Sequence, residues 1–238
     1  MAATPHSADD KTGNRFLDAL PLEARSRLLK DSQFEQLPIR RVLWEPDDEI
    51  ETVYFPISGV VSLVTLMKDG GHVEMATIGR EGIVGVPMVL DGRSITNAQA
   101  VSQVVGEAIS VSADVFIDEV KAGGAFASLM HNFMQALFTL VGQNAACNRR
   151  HTVTQRAARW LLLTQDRVGS DKFGLTHEFL SQMIGSRRAS VTEAAGELSD
   201  AGAITYRRGV VHILSRDALE ASACECYGLI RRAFDKLY

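Results

Sequence analysis

Between Gln36 and Ser112 the chain is written in short apolar runs broken by turn residues. Val53-Tyr54-Phe55, Val60 to Leu66 and Val73 to Ile78 have the length and β-branched content of strands. Lys68-Asp69-Gly70-Gly71 separates the last two with the Asp-Gly chemistry of a tight hairpin. Further strands are expected from Thr96 to Val105 and from Ala108 to Val111. Many short strands at regular spacing predict a β-sandwich or barrel. Ahead of it, Phe16 to Leu29 reads as one amphipathic helix with Leu17, Leu20, Leu28 and Leu29 apolar, and the first 15 residues read as a loose tail.

After Ser112 the period changes. Asp114 to Val120 reads as a short helix closed by Gly123-Gly124, and a long helix is expected from about Ala125 to Arg150. Along it Phe126, Met130, Phe133, Leu137, Leu140, Asn144 and Cys147 alternate at spacings of four and three, which is a heptad seam. Leu129, Met134, Phe138 and Val141 form a second apolar stripe, more than one barrel face covers. The expectation is one stripe on the chain's own barrel and one on a second copy, with dimerisation assigned to the heptad seam. Asn144, polar within that seam, suits either a register-fixing residue between two copies or an exposed residue near a frayed end.

The stretch from Thr152 onward is the most informative. Thr152 to Val168 predicts a helix; Leu175 to Ile184 predicts a short one, with Thr176 as N-cap and Glu178 in the first turn. Gly185 permits a sharp turn, Ser186 is placed to cap the next helix, and Arg187 to about Ser199 turns Val191, Ala194, Ala195 and Leu198 inward. Arg187, Arg188, Ser190, Thr192 and Glu193 are left outside. This is the helix-turn-helix pattern. Ile204-Thr205-Tyr206 and Val210 to Leu214, joined by Arg207-Arg208-Gly209, follow as a hairpin with a basic tip, a wing. Arginines at a helix N-terminus can meet guanine N7 and O6 in a major groove, and Ser190 and Thr192 can donate to bases or phosphates. Thr176, His177, Arg207 and Arg208 are expected on the phosphate backbone, where they set register without reading sequence.

Charge supports that reading. The chain of 238 residues carries a net charge of −4, so the whole is no basic coat. Residues 1–148 hold 11 Lys/Arg and 19 Asp/Glu, a balance of −8, whereas 149–216 hold 11 and 6, a balance of +5. A basic block in an acidic molecule is a footprint of polyanion binding. No apolar run is long enough to span a bilayer, the N-terminus lacks a signal-peptide core, and the three cysteines Cys147, Cys224 and Cys226 make no disulfide framework. A protein of the reducing cytoplasm is expected, with no membrane partner. No glycine-rich phosphate loop, metal-spaced His pair or nucleophile motif points to an enzyme, so neither catalytic residues nor a metal site are assigned.

With these residues in place the sequence resembles the Crp–Fnr superfamily of bacterial transcription factors over about residues 16–225. The resemblance rests on Tyr54 to Val61, on Ile78-Gly79-Arg80-Glu81-Gly82-Ile83-Val84-Gly85, on the long helix, on Val153-Thr154-Gln155-Arg156 and on the winged helix from Leu175 to Leu214. It implies an α+β architecture: a jelly-roll sensor barrel of the double-stranded β-helix type, a long dimerisation helix, and a C-terminal winged helix-turn-helix. The corresponding segments are a tail (1–15), a barrel with flanking helices (16–123), the dimerisation helix (124–151) and the DNA-binding domain (152–238). The partners implied are double-stranded DNA with a pseudo-palindromic site, a second copy of the chain and, for an activator, RNA polymerase.

The departures bear on the signal. Cyclic-nucleotide sensors of the family carry an acid after the glycine of a Gly-Glu-x-Gly cassette and an Arg-Ser/Thr pair downstream, but here the cassette reads Gly82-Ile83-Val84-Gly85 and the pair falls near Thr96-Asn97, with Arg93 close by. The hydroxyl pair that meets the adenine becomes Val141-Gly142. A buried phosphate without a cation would be poorly compensated. These eight positions (Gly82 to Gly85, Arg93, Thr96, Asn97 and Val141) are the candidate effector pocket, and control by cyclic AMP in the family manner is not expected. A variant pocket for a cyclic nucleotide or another small ligand, and a cupin-like metal enzyme fused to a winged helix, are the alternatives. No cysteine precedes Cys147 to hold an iron–sulfur cluster, His72 and His131 read as lone histidines rather than haem ligands, and no cofactor is assigned. The cysteines read as ordinary small residues before oxidation sensors. In the reader, Arg188 keeps the first position of the family's Arg-Glu-x-x-x-Arg, while Ala189 and Glu193 replace the others, so a different half-site is expected.

Overall fold

The computed structural model describes residues 11–68, 70–86 and 98–238. Two short helices, α1 (Arg15–Asp18) and α2 (Leu22–Leu28), stand where a single one is expected, because Pro21 cannot continue the first and instead precedes the second. The tail is also shorter than expected. Thr12 and Asn14 are buried, and Asn14 caps α1 while its Nδ2 donates to Pro56 O at 2.8 Å and Gly82 O at 2.9 Å.

Seven strands follow: β1 (Gln33–Leu37), β2 (Val42–Trp44), β3 (Thr52–Pro56), β4 (Val60–Leu66), β5 (His72–Ile78), β6 (Ala98–Val104) and β7 (Gly106–Ser112). They form a sheet in the order β1-β7-β3 and another in the order β2-β6-β4-β5, antiparallel throughout. The expected β4–β5 hairpin is present, with Val61 opposite Ile78 and Leu66 opposite His72. Asp69 of its turn, and Thr96 and Asn97 ahead of β6, lie outside the described residues.

Helix α3 (Ala113–Ala122) leads to α4 (Gly124–Arg150), which lies along the barrel. Phe126 and Phe133 stack edge-on against Phe16 at 5.8 and 6.0 Å, and Phe116 meets Phe126 at 5.5 Å. Such ring pairs add to the burial of large apolar area. A Cβ on Gly82 would sit 2.5 Å from the Phe133 ring, so glycine there is what lets the helix approach. The dimerisation assignment is therefore corrected. Phe126, Met130, Phe133, Leu140, Asn144 and Cys147 are buried within the chain itself, and Leu137 is half-buried. Asn144 fits neither expectation: its Nδ2 donates to Met75 O at 2.8 Å, and its Oδ1 accepts from Arg159 Nη1 at 2.6 Å. The face left open carries Phe138, 80% exposed, and Val141, 37% exposed, with Leu129 and Met134 at its half-buried margin.

The C-terminal unit contains α5 (Val153–Val168), β8 (Lys172–Gly174), α6 (His177–Met183), α7 (Arg188–Asp200), β9 (Ile204–Arg207), β10 (Val210–Ile213), α8 (Arg216–Ser222) and α9 (Cys226–Asp235). Thr152 and Gln155 close a capping box on α5. The small sheet runs β8-β10-β9, so the expected wing hairpin acquires a third strand. The helix α5 is cemented to the barrel. Trp160 Nε1 donates to Glu74 Oε1 at 3.0 Å; Arg167 donates from Nε to Glu81 Oε1 and from Nη1 to Thr77 Oγ1, both at 2.7 Å.

Candidate nucleic-acid interface

The reader begins where expected. Thr176 caps α6, its Oγ1 accepting from Phe179 N at 3.1 Å. Leu180, Met183 and Ile184 are buried and Phe179 half-buried; Gly185 turns the chain at φ +59°. Ser186 does not cap α7: Arg187 occupies the cap position, with extended backbone and no side-chain cap bond. The first N–H groups of α7 thus lack an intrachain side-chain acceptor at the helix's positive end. Val191, Ala194, Ala195 and Leu198 are buried, as their spacing requires. The wing turns through Arg208 (φ 49°) and Gly209 (φ 74°), the paired positive angles of a two-residue hairpin.

The eight residues assigned to DNA divide into two kinds. Arg187, Arg188, Arg207 and Arg208 are exposed, and among the described residues only Arg188 has an acidic neighbour, Glu178 Oε2 at 4.0 Å. Ser190 is half-buried on the same turn of α7. Thr176, His177 and Thr192 also take part in building the motif. Thr192 Oγ1 donates to Arg188 O at 3.1 Å and lies 3.0 Å from His177 Nδ1, while the His177 ring lies 4.4 Å from that of Tyr206. Burial, reinforced by the neighbouring Arg188 guanidinium, holds the His177 imidazole below its ordinary value. It brackets α6, α7 and the wing.

The basic block is also less of a surface than its count suggests. Arg156, Arg159 and Arg167 are buried, and Arg216 is held by Asp166 at 2.8 Å and Glu220 at 2.9 Å. What remains exposed is Arg149, Arg150, Lys172 and the four arginines of the reader and wing.

Two family models match the chain, a cyclic nucleotide-binding domain over residues 34–122 and a Crp-like helix-turn-helix domain over residues 155–222. In that order they take in about two thirds of the sequence, and they fall on the sandwich and on the winged helix. This chain belongs to the Crp–Fnr family of transcriptional regulators. Its fold is shared with FixK2 of Bradyrhizobium japonicum, at a TM-score of 0.69 and 16% identity over 81% of this chain and 98% of that one. A CRP-family transcriptional regulator of Thermus thermophilus gives 0.65 at 21% identity over 79% and 96%, and the c-di-GMP-responsive global regulator CLP of Xanthomonas campestris 0.66 at 17% over 82% and 100%. No curated protein matches the chain's sequence. Among the described residues no helix is long and apolar enough to cross a membrane.

For a Crp–Fnr regulator, the cassette region is tightly filled. Ile83 and Val84 are buried, Val84 bridges to Tyr54, and Phe133 of α4 lies over Gly82 while a Cβ on Gly85 would sit 2.9 Å from Val53. Val141 is not brought to the cassette: it lies about 12 Å further along α4 than Phe133, on the open face. Arg93, Thr96 and Asn97 lie outside the described residues. Elsewhere, Cys147, His151, Cys224 and Cys226 converge, a grouping the sequence reading missed. Its only linear signals are Cys147-x-x-x-His151 and Cys224-x-Cys226, two short pairs far apart in the chain.

Proposed function

We propose that this regulator acts as a homodimer on a two-fold-symmetric DNA site. Arg187, Arg188 and Ser190 enter the major groove, with Arg207 and Arg208 on flanking phosphates. The carrying observation is that these four arginines are the exposed, largely unpaired cations of the reader, while Arg156, Arg159 and Arg167 of the block are buried within the fold. Thr176, His177 and Thr192 keep the motif in shape, and their contribution to binding is indirect. The open stripe around Phe138 and Val141 is the surface offered to the second copy, in place of the buried seam.

Control by cyclic AMP is not part of this reading. The cassette has no acid for a ribose, and the space above Gly82 is occupied by an aromatic ring. A cupin-like metal enzyme is disfavoured because His72 stands exposed on β5. Selection of bound duplexes from a random pool, followed by binding of the enriched site across a salt series, tests the proposal. A palindromic consensus with a steep negative salt slope is expected. A flat slope, or heat released on titrating micromolar cyclic AMP into the protein, contradicts it.

A further inference from the structure

At the junction of α4 and α5, four ligand-type side chains from two distant parts of the chain meet. The last turns of α4 supply Cys147, and the C-cap residue that ends α4 is His151. The link after α8 supplies Cys224, and the first residue of α9 is Cys226. All four donor atoms lie within 4.8 Å of one another, and the three sulfurs are buried in a cluster separate from the main core.

The spacings are those of a coordination polyhedron. Cys147 Sγ and Cys224 Sγ are 3.5 Å apart, and Cys226 Sγ and His151 Nδ1 are 3.5 Å apart. A disulfide needs sulfurs about 2.05 Å apart. Metal–sulfur bonds of about 2.3 Å and metal–nitrogen bonds of about 2.0 Å give tetrahedral edges of roughly 3.8 and 3.5 Å. The imidazole is also oriented for the purpose. Its Nδ1 faces the thiols, while Nε2 lies 3.1 Å from Glu225 Oε2, the carboxylate–histidine arrangement that fixes a ligating tautomer. Gln143 Nε2, 3.1 Å from Cys226 Sγ, adds a donor to a ligand sulfur.

We propose that Cys147, His151, Cys224 and Cys226 bind one zinc ion through three thiolates and His151 Nδ1, with Glu225 as the outer partner of the histidine. Thiolate-rich tetrahedral sets favour zinc over hard cations. Four donors within one small sphere suit a single ion; a two-iron cluster divides its terminal ligands between two metals. With all four positions filled by protein the site is structural, without an open position for substrate. It would tie His151, the residue between α4 and α5, to the start of α9, and so brace the junction from which the reader leaves the long helix. This inference does not depend on which DNA is bound.

The test is metal analysis of the full chain purified without chelator, followed by removal of the metal and titration with cobalt(II). The expected results are about one zinc per chain, d–d bands of tetrahedral thiolate coordination on cobalt uptake, and three thiols that react with a thiol reagent only after metal removal. Glu225→Gln, which leaves all four ligands in place, should weaken metal affinity about 10–100-fold. Cys224→Ser should abolish stoichiometric retention. A metal-free protein that takes up no cobalt, with three freely reacting thiols or a Cys147–Cys224 disulfide, overturns the proposal. Stoichiometric iron in place of zinc overturns it too.

Discussion

Glu74 offers the sharpest energetic test of how barrel and reader are joined. It is buried on β5, where Ser62 Oγ donates to its Oε2 at 2.8 Å and Trp160 Nε1 to its Oε1. Burial raises its carboxyl to about 7, against the opposing pull of those two hydrogen bonds and of Arg159 and Arg167. Between the ordinary value of 4.5 and about 7 the folded chain therefore keeps a proton that the unfolded chain has released. The unfolded state binds fewer protons there, so stability falls as pH rises through that window and is fully present only below it. A displacement of this size is worth about 3 kcal/mol.

Glu74→Gln is the clean perturbation. The amide keeps an acceptor for Trp160 and turns an NH2 toward Ser62, whose hydroxyl also contacts Gln103 Oε1, and it has no proton to lose. Urea unfolding followed by tryptophan fluorescence, at fixed protein concentration from pH 4.5 to 8.5, measures both proteins. The difference in unfolding free energy, variant minus wild type, should grow by about 3 kcal/mol across the range, because other titrating groups cancel. A difference that stays constant with pH refutes the argument that burial dominates at this carboxyl.

Three further outcomes follow from the interface. Arg188→Ala should cost about 1–3 kcal/mol on the selected site and relax preference at one base per half-site, measured by competition binding. Arg207→Ala with Arg208→Ala should weaken all sequences alike and reduce the salt slope of a dimer by about 4, from four phosphates at roughly 0.9 each. Phe133→Ala should lower folding stability by about 3–5 kcal/mol, whereas Phe138→Glu should leave the protomer folded and shift sedimentation towards monomer. The reverse pattern would return dimerisation to the buried seam.

What the sequence made legible is what is local. The β4–β5 hairpin, the Thr176 cap, the inward face of α7 and the positive-φ wing tip each follow from residues within a few positions of one another. The exceptions were also local in cause: a proline split the first helix, and Arg187 rather than Ser186 came to cap α7. What stayed hidden needed tertiary placement. A heptad seam looks the same whether a second copy or the chain's own side chains cover it, and here Phe16, Phe116 and Phe234 lie against its phenylalanines.

Helix α5 carries the strongest instance. Its Arg156, Arg159 and Arg167 count in sequence towards the basic block, yet each donates to a distant carbonyl, amide or carboxylate. Arg156 Nη1 donates to Ile184 O at 2.8 Å, at the turn of the reader, and Arg167, about 16 Å further along the axis, holds Glu81 of the barrel. Trp160 meets Glu74 between them. Helix α5 therefore makes buried polar contacts both with the barrel and with the turn of the helix-turn-helix. The donors at both ends of α5, Arg156 and Arg167, are buried, as is Trp160 between them. The arginines that weaken the case for a broad basic surface are thus spent on buried contacts: Arg156 at the reader's turn, Arg159 on the long helix and Arg167 on the barrel.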